Sequence, residues 1–167
     1  MLPLIAVCVL AADPTPVEFA GMKATPPAAW KVKELPPNSM RSAQFTLPKA
    51  DNDPDDGDLA LFVFPGGAGT PKQNLDRQLA KFLDAGRTDK ESKVTVGPVE
   101  ATYQDVAGTF KKKPFPMSTD FTPVPDYRQL YVLFDKDGKQ YYLTLLGPKA
   151  TVEKHKAGFE GWLKSFK

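Results

Sequence analysis

Seventeen prolines in 167 residues limit this chain more than any other feature of its sequence. Proline lacks a backbone donor and its ring clashes with the preceding turn, so it is kept out of helix interiors and central strands. The stretches between Pro26-Pro27, Pro36-Pro37, Pro48, Pro65, Pro98 and Pro148 are therefore where regular elements must lie. Phe19 to Lys23 and Trp30 to Leu35 read as short strands. Met40 to Leu47 puts Ala43, Phe45 and Leu47 on one face, the period of a half-buried strand. Leu59 to Phe64 is apolar throughout and predicts a central strand buried on both faces.

Thr70-Pro71 predicts a helix start, because threonine caps orphan donors and proline is tolerated at the first helical position. Leu75, Leu79, Phe82 and Leu83 then recur on one helical face, with Gly86 as the stop. Val94 to Phe110 predicts two strands broken at Gly97-Pro98. Arg128 to Phe134 and Lys139 to Leu146 predict a hairpin about Asp137-Gly138. Thr151 is the expected cap of a last helix that buries Val152, Phe159, Trp162, Leu163 and Phe166. Strands joined by tight turns, with a helix after each group, point to the α+β class: an antiparallel sheet of six or more strands with helices packed on it.

The length suits a single domain, here residues 13–167, preceded by a signal-like apolar segment, residues 1–12. That segment carries Leu2, Leu4, Ile5, Val7, Val9 and Leu10 and ends in Ala11-Ala12. It is too short to span a bilayer, and the expectation is export to the periplasm, cell envelope or medium. Its basic leading region is missing, which would put the true start upstream of Met1. Cys8 lies inside it, as an incidental residue of a discarded signal or as a lipidated cysteine. The mature chain then holds no cysteine, so neither a disulfide nor a zinc–thiolate site is available to it. A net charge of +2 is too small to indicate a nucleic-acid partner.

Catalytic constellations are not legible. His155 is the only histidine and sits in the charged run Glu153-Lys154-His155-Lys156, where a solvated ring is expected. Ser39, Ser42, Ser92, Ser118 and Ser165 lack the context of a nucleophile. No catalytic residue, metal ligand or cofactor is assigned. The acidic turn Asp51 to Asp58 offers oxygen ligands for calcium, yet Pro54, a late glycine and Phe62 at the closing position argue for a solvated connection with little or no calcium affinity.

Two segments remain as candidate sites. Gly67, Gly69 and Thr70 precede a helix N-terminus and, with Lys72 and Arg77, make a weak anion-binding pattern; a flexible turn between a buried strand and a helix is the preferred reading. The loop from Lys111 to Asp126 is the stronger candidate. Lys111, Lys112 and Lys113 can steer an acidic partner, and Phe115, Met117 and Phe121 can fill its apolar pockets. The alternative is a lid folded over the sheet.

Trp30, Met40-Arg41-x-Ala43-Gln44-Phe45, Gly66-Gly67, Asn74-x-x-Arg77, Gly108-Thr109, Asp126-Tyr127-Arg128, Gly147-Pro148 with Thr151-Val152, and Phe159 follow one another along nearly the whole mature chain. In that order they resemble a family of small exported bacterial proteins of unknown function. That family is similar to the α/β/α sandwich of the PsbP photosystem subunits and the Ran-binding nucleotide-release factors. The resemblance implies such a sandwich and a non-enzymatic module that binds a protein or cell-envelope component. A carrier of a small molecule or ion is the second expectation. Oligomeric state is left open.

Overall fold

The computed structural model describes residues 14–167. The signal-like segment 1–12 and Cys8 lie outside the described residues. The elements run β1 (Val17–Phe19), β2 (Met22–Ala24), β3 (Lys31–Val32), β4 (Arg41–Leu47), β5 (Gly57–Pro65), α1 (Pro71–Leu79), β6 (Thr88–Val96), β7 (Val99–Lys112), β8 (Thr122–Lys136), β9 (Lys139–Pro148) and α2 (Lys149–Lys164). Strands β3 to β9 form one seven-stranded sheet in the order β3-β4-β5-β9-β8-β7-β6, and every neighbouring pair is antiparallel. Strands β1 and β2 form a separate hairpin.

Side chains alternate across a strand, so each central strand serves two layers. Leu130, Val132 and Phe134 of β8 pack with Leu143, Leu145, Val152, Phe159, Trp162 and Leu163 on the α2 side. The intervening Tyr131 and Leu133 pack with Tyr142 and Leu75 on the α1 side. The result is an α/β/α sandwich. Hairpin β1–β2 closes the α2 layer: Phe19 meets Phe134 and Tyr141 edge-on, and Lys23 exchanges two backbone hydrogen bonds with Lys167. The β6–β7 turn also reaches α2, where Gly97 N donates to Leu163 O at 2.8 Å. A side chain at Gly97 would lie 2.3 Å from Phe166 O, and its φ is +56°, so only glycine fits there.

Several local expectations hold and several shift. Thr70 caps α1 in a full capping box with Gln73, and Asp137-Gly138 turns the β8–β9 hairpin with both φ values positive. The strand expected at Phe19 to Lys23 is two strands, because Ala20 and Gly21 both take positive φ and turn the chain. The strand expected at Trp30 to Leu35 shrinks to Lys31–Val32, followed by one more backbone bond from Lys33 N to Gln44 O at 2.9 Å. Helix α1 stops at Leu79, not near Gly86, yet Phe82 is still fully buried through a bridge to Phe110. Strand β5 is buried on its α2 side, where Leu59 and Leu61 have no exposed surface, but Phe62 and Phe64 on the other side are half-exposed.

Helix α2 starts at Lys149, one turn earlier than a Thr151 cap requires. Asp53 supplies the missing cap from across the molecule: its Oδ2 accepts from Thr151 N at 2.7 Å and Thr151 Oγ1 at 2.5 Å. His155 is not solvated. Only 8% of its surface is exposed, Trp30 Nε1 donates to its Nδ1 at 3.3 Å, and its Nε2 lies 2.8 Å from Pro48 O. Nδ1 is thus the acceptor and Nε2 carries the proton.

Candidate functional site

The candidate loop is the tip of the β7–β8 hairpin and is shorter than expected. Strand β7 runs on to Lys112 and β8 begins at Thr122, so the irregular part is residues 113–121. Pro125 falls where the pairing with β7 shifts register between Gly108 and Phe110, and both Pro123 and Pro125 precede Tyr127, where pairing with β9 begins, so that side of the strand is an edge. Prolines in a strand favour such positions.

Inside the tip, Ser118 N donates to Phe115 O at 3.0 Å and Asp120 N donates to Ser118 Oγ at 3.0 Å. These bonds, with Pro114 and Pro116, shape the loop. Its base is tied down: Lys111 N donates to Lys81 O at 2.8 Å and Lys111 Nζ to Ala80 O at 3.1 Å. The Lys111 ammonium also stands 5.8 Å from the ring centroid of Phe121. Phe115 and Met117 do not fold back. They are 60% and 88% exposed, and Phe121 is 42% exposed. Among the described residues, Lys111, Lys112 and Lys113 make no ion pair. A cleft of about 630 Å³ separates this loop from the end of α1 and is lined by Arg77, Lys81, Phe110 and residues 111–116.

Three donors of the Gly66–Thr70 turn, Gly67 N, Ala68 N and Thr70 N, are spent within the chain. Ala68 N donates to Gln140 Oε1 at 2.8 Å, and Thr70 N donates to Gln73 Oε1 at 2.9 Å. Lys72 pairs with Asp76 at 2.7 Å, and that hydrogen bond raises its pKa. Arg77 turns back over the loop, donating to Ala68 O at 2.7 Å and Asn74 Oδ1 at 2.9 Å. Of the anion-binding set, Arg77 also lines a cavity. That cavity, of about 330 Å³, lies between α1 and the sheet, with Phe62, Phe64, Tyr131, Tyr142 and Thr144 on the sheet side and Ala68, Arg77 and Lys81 on the other. No local pattern announced it, because β5, β8, β9 and α1 each contribute to the wall.

Burial raises the pKa values of the Tyr131 and Tyr142 phenols, against an opposing pull from the Arg77 charge. Both therefore remain hydroxyls over the whole physiological range. Burial of the ammonium pushes Lys81 down to about 8. The residue as a whole is nevertheless exposed, so solvent still reaches and screens it.

The carboxylates of the acidic turn are dispersed onto separate protein donors. Asp53 caps α2, Asp55 accepts from Tyr127 OH at 2.6 Å, Asp56 accepts from Lys49 N at 2.9 Å, and Asp58 accepts from Gln44 Nε2. Among the described residues, no group of three or more His, Cys, Asp or Glu side chains is gathered to hold a metal ion. On the α2 side, Arg128 forks onto both oxygens of Asp105 at 2.7 and 2.6 Å and also reaches Glu153, which joins strand to helix. Those pairs raise the Arg128 pKa, led by the Asp105 hydrogen bond.

No protein-family model matches the chain, and no curated protein matches it in sequence. Its fold is that of PsbP-like proteins. The solution structure of the cyanobacterial PsbP of Synechocystis superposes with a TM-score of 0.57 at 13% identity, covering 96% of this chain and 95% of that one. PA94 of Pseudomonas aeruginosa, a protein of unknown function, superposes at 0.51 and 14% identity over 90% and 94% of the two chains. LpqN of Mycobacterium tuberculosis, involved in cell envelope biogenesis, does so at 0.51 and 16% identity over 92% and 88%. Among the described residues no helix is long and apolar enough to cross a membrane.

Proposed function

We propose that this protein is an exported, non-enzymatic binding module that docks onto an anionic surface of the cell envelope through the β7–β8 tip. One observation carries the proposal: Phe115 and Met117 stand 60% and 88% exposed beside three lysines that make no ion pair among the described residues. Single exposed apolar residues are ordinary, but two adjacent to a basic triplet on a proline-stiffened projection combine the parts of an interfacial anchor. Each lysine near an anionic surface contributes about 1 kcal/mol. Burying one large apolar side chain contributes about 1.5–3 kcal/mol. Together they match a single acyl chain, so binding is reversible and falls with salt. A protein of the same fold is involved in cell envelope biogenesis, which agrees in kind. The apolar segment 1–12 is the reason for proposing export.

The test is sedimentation with vesicles of phosphatidylglycerol and phosphatidylethanolamine, against vesicles of phosphatidylcholine alone. Capture by the anionic vesicles only, weakened by salt and abolished in Phe115→Ser with Met117→Ser, supports the proposal. Equal capture by both vesicles, or by neither, overturns it. Loss of a protein partner in the same variant, without vesicle binding, would move the tip to a protein interface. Intact mass from the native host should begin near Ala12 or Asp13, and retention of Met1 would overturn export.

A further inference from the structure

We propose that the cavity between α1 and the sheet binds a small amphipathic carboxylate, its apolar body among Phe62, Phe64, Tyr131 and Tyr142 and its head group at Arg77 and Lys81. The volume, about 330 Å³, lies at the low end of ligand sites, which run from about 300 to 1,000 Å³. It suits a body of medium length, not a two-chain lipid. The walls are rings: Phe64 meets Tyr142 edge-on at 5.2 Å, and Tyr131 stacks on Tyr142 at 5.8 Å. Such walls take up an aliphatic or aromatic body from water without a hydrogen-bonding partner.

Charge decides the head group. The two charged side chains of the lining are both cations, and no carboxylate lines the cavity. Among the described residues neither Arg77 nor Lys81 makes an ion pair. Arg77 is already aimed. Its Nη1 is anchored on Ala68 O and Asn74 Oδ1, and that anchoring holds the guanidinium over the rim. A planar fork fixed in this way suits a carboxylate. Partial burial lowers the Lys81 pKa and no carboxylate faces it among the described residues, so an arriving anion favours its charged form. The phenols of Tyr131 and Tyr142 stay protonated and add no negative charge. Arg77 and Lys81 also border the cleft behind the tip, but no residue of 111–121 lines this cavity, so the two proposals are tested by different residues.

The probes are decanoate and its neutral counterpart decan-1-ol, titrated into the mature protein below their aggregation limits and followed by amide chemical shifts. Saturable decanoate shifts should map to residues around Phe64, Arg77, Lys81 and Thr144. Decan-1-ol should bind about tenfold more weakly or worse, the scale of one lost charge-assisted contact. Lys81→Gln should weaken decanoate by about the same factor, since Lys81 has no ion pair in the free protein to lose. Thr144→Phe, which fills the cavity floor, should abolish binding, while Phe115→Ser with Met117→Ser should leave it unchanged. Equal affinity for decanoate and decan-1-ol overturns the proposal, as do shifts centred on Phe115 and Met117 or shifts that never saturate. Because mapping and probe comparison use the unaltered chain, a Thr144→Phe variant that fails to fold does not remove the test.

Discussion

The two faces of one sheet are built on different terms. On the α2 face, rings and aliphatic groups interlock around Trp162, and a polar cleft of about 450 Å³ opens at the β6–β7 edge, lined by Val94, Tyr103, Asp105, Lys156 and Glu160. Trp162 lies 5.4 Å from Trp30, 5.9 Å from Phe45 and 4.9 Å from Phe166, and helix, hairpin and chain end seal the layer. On the α1 face, a nine-residue helix covers part of the sheet, and the buried apolar residues fall into two islets, one around Leu75 and one around Phe82. Gln44, Gln104, Gln129 and Gln140 fill this side; the side-chain oxygens of Gln104 and Gln129 have no partner, against Trp162 Nε1 on the other face. The cavity and the cleft behind the tip both open here. A sheet that is held by one face is free to present the other, because stability is not shared evenly across a fold.

The largest test of this asymmetry sets one anchor of each face against the other. Trp162→Ala removes a ring from the sealed layer and should cost about 3–5 kcal/mol, seen as a lower urea midpoint. Leu75→Ala, under a short helix that can settle, should cost about 2 kcal/mol, the low end for such truncations. Equal losses would break the comparison.

Next comes the cap that ties the acidic turn to the sealed face. Asp53→Ala frees Thr151 N and Oγ1 and should cost about 1 kcal/mol, the usual value of a lost N-cap. Calorimetry with calcium should show no submillimolar binding, since the Asp53 carboxylate already serves two protein donors. Submillimolar affinity that disappears in Asp53→Ala would recast the turn as a metal site instead of a fastening.

The α1 face should also show a weak pH signature. Lys81 has its pKa lowered to about 8 in the folded chain, against about 10.4 for an unperturbed lysine. A charged lysine is penalised only in the folded state, so the penalty is full below pH 8. It fades as pH rises to about 10.4, where both states are neutral. Stability should therefore rise through that window in the unaltered chain relative to Lys81→Met. Solvent around the exposed residue keeps the rise small. No difference between the two pH profiles would mean the ammonium is fully hydrated.

What could be read from the sequence follows the range of each signal. Thr70-Pro71 and Asp137-Gly138 are local backbone chemistry, and both act as read. Phe159, Trp162 and Leu163 share a helical stripe, and all are buried. His155 belongs to that same stripe, three residues after Val152 and four before Phe159. Its charged sequence neighbours concealed what the helical period implied. Asp53 and Thr151 meet across 98 positions, and the cavity draws on four elements. No spacing rule reaches that far. The start of β8 was obscured by Pro123 and Pro125, since a stretch without a β9 partner forgives prolines that a central ladder does not.

The smallest expected effect on stability is the most telling for function. Phe115→Ser with Met117→Ser should change the urea midpoint by no more than about 0.5 kcal/mol, the usual range for surface sites. The reason is geometric. Neither side chain belongs to a buried cluster, and the bonds shaping the loop run through the backbone of Phe115 and through Ser118 and Asp120. Phe110 at the loop's base stacks on Tyr127 at 5.6 Å and should keep the hairpin in register. A stable variant that has lost vesicle binding would place docking at the tip and folding elsewhere. A variant destabilised like Leu75→Ala would mean that Phe115 and Met117 cover the α1 face in solution. The tip would then be a lid, and the contrast between the two faces would be smaller than their packing implies.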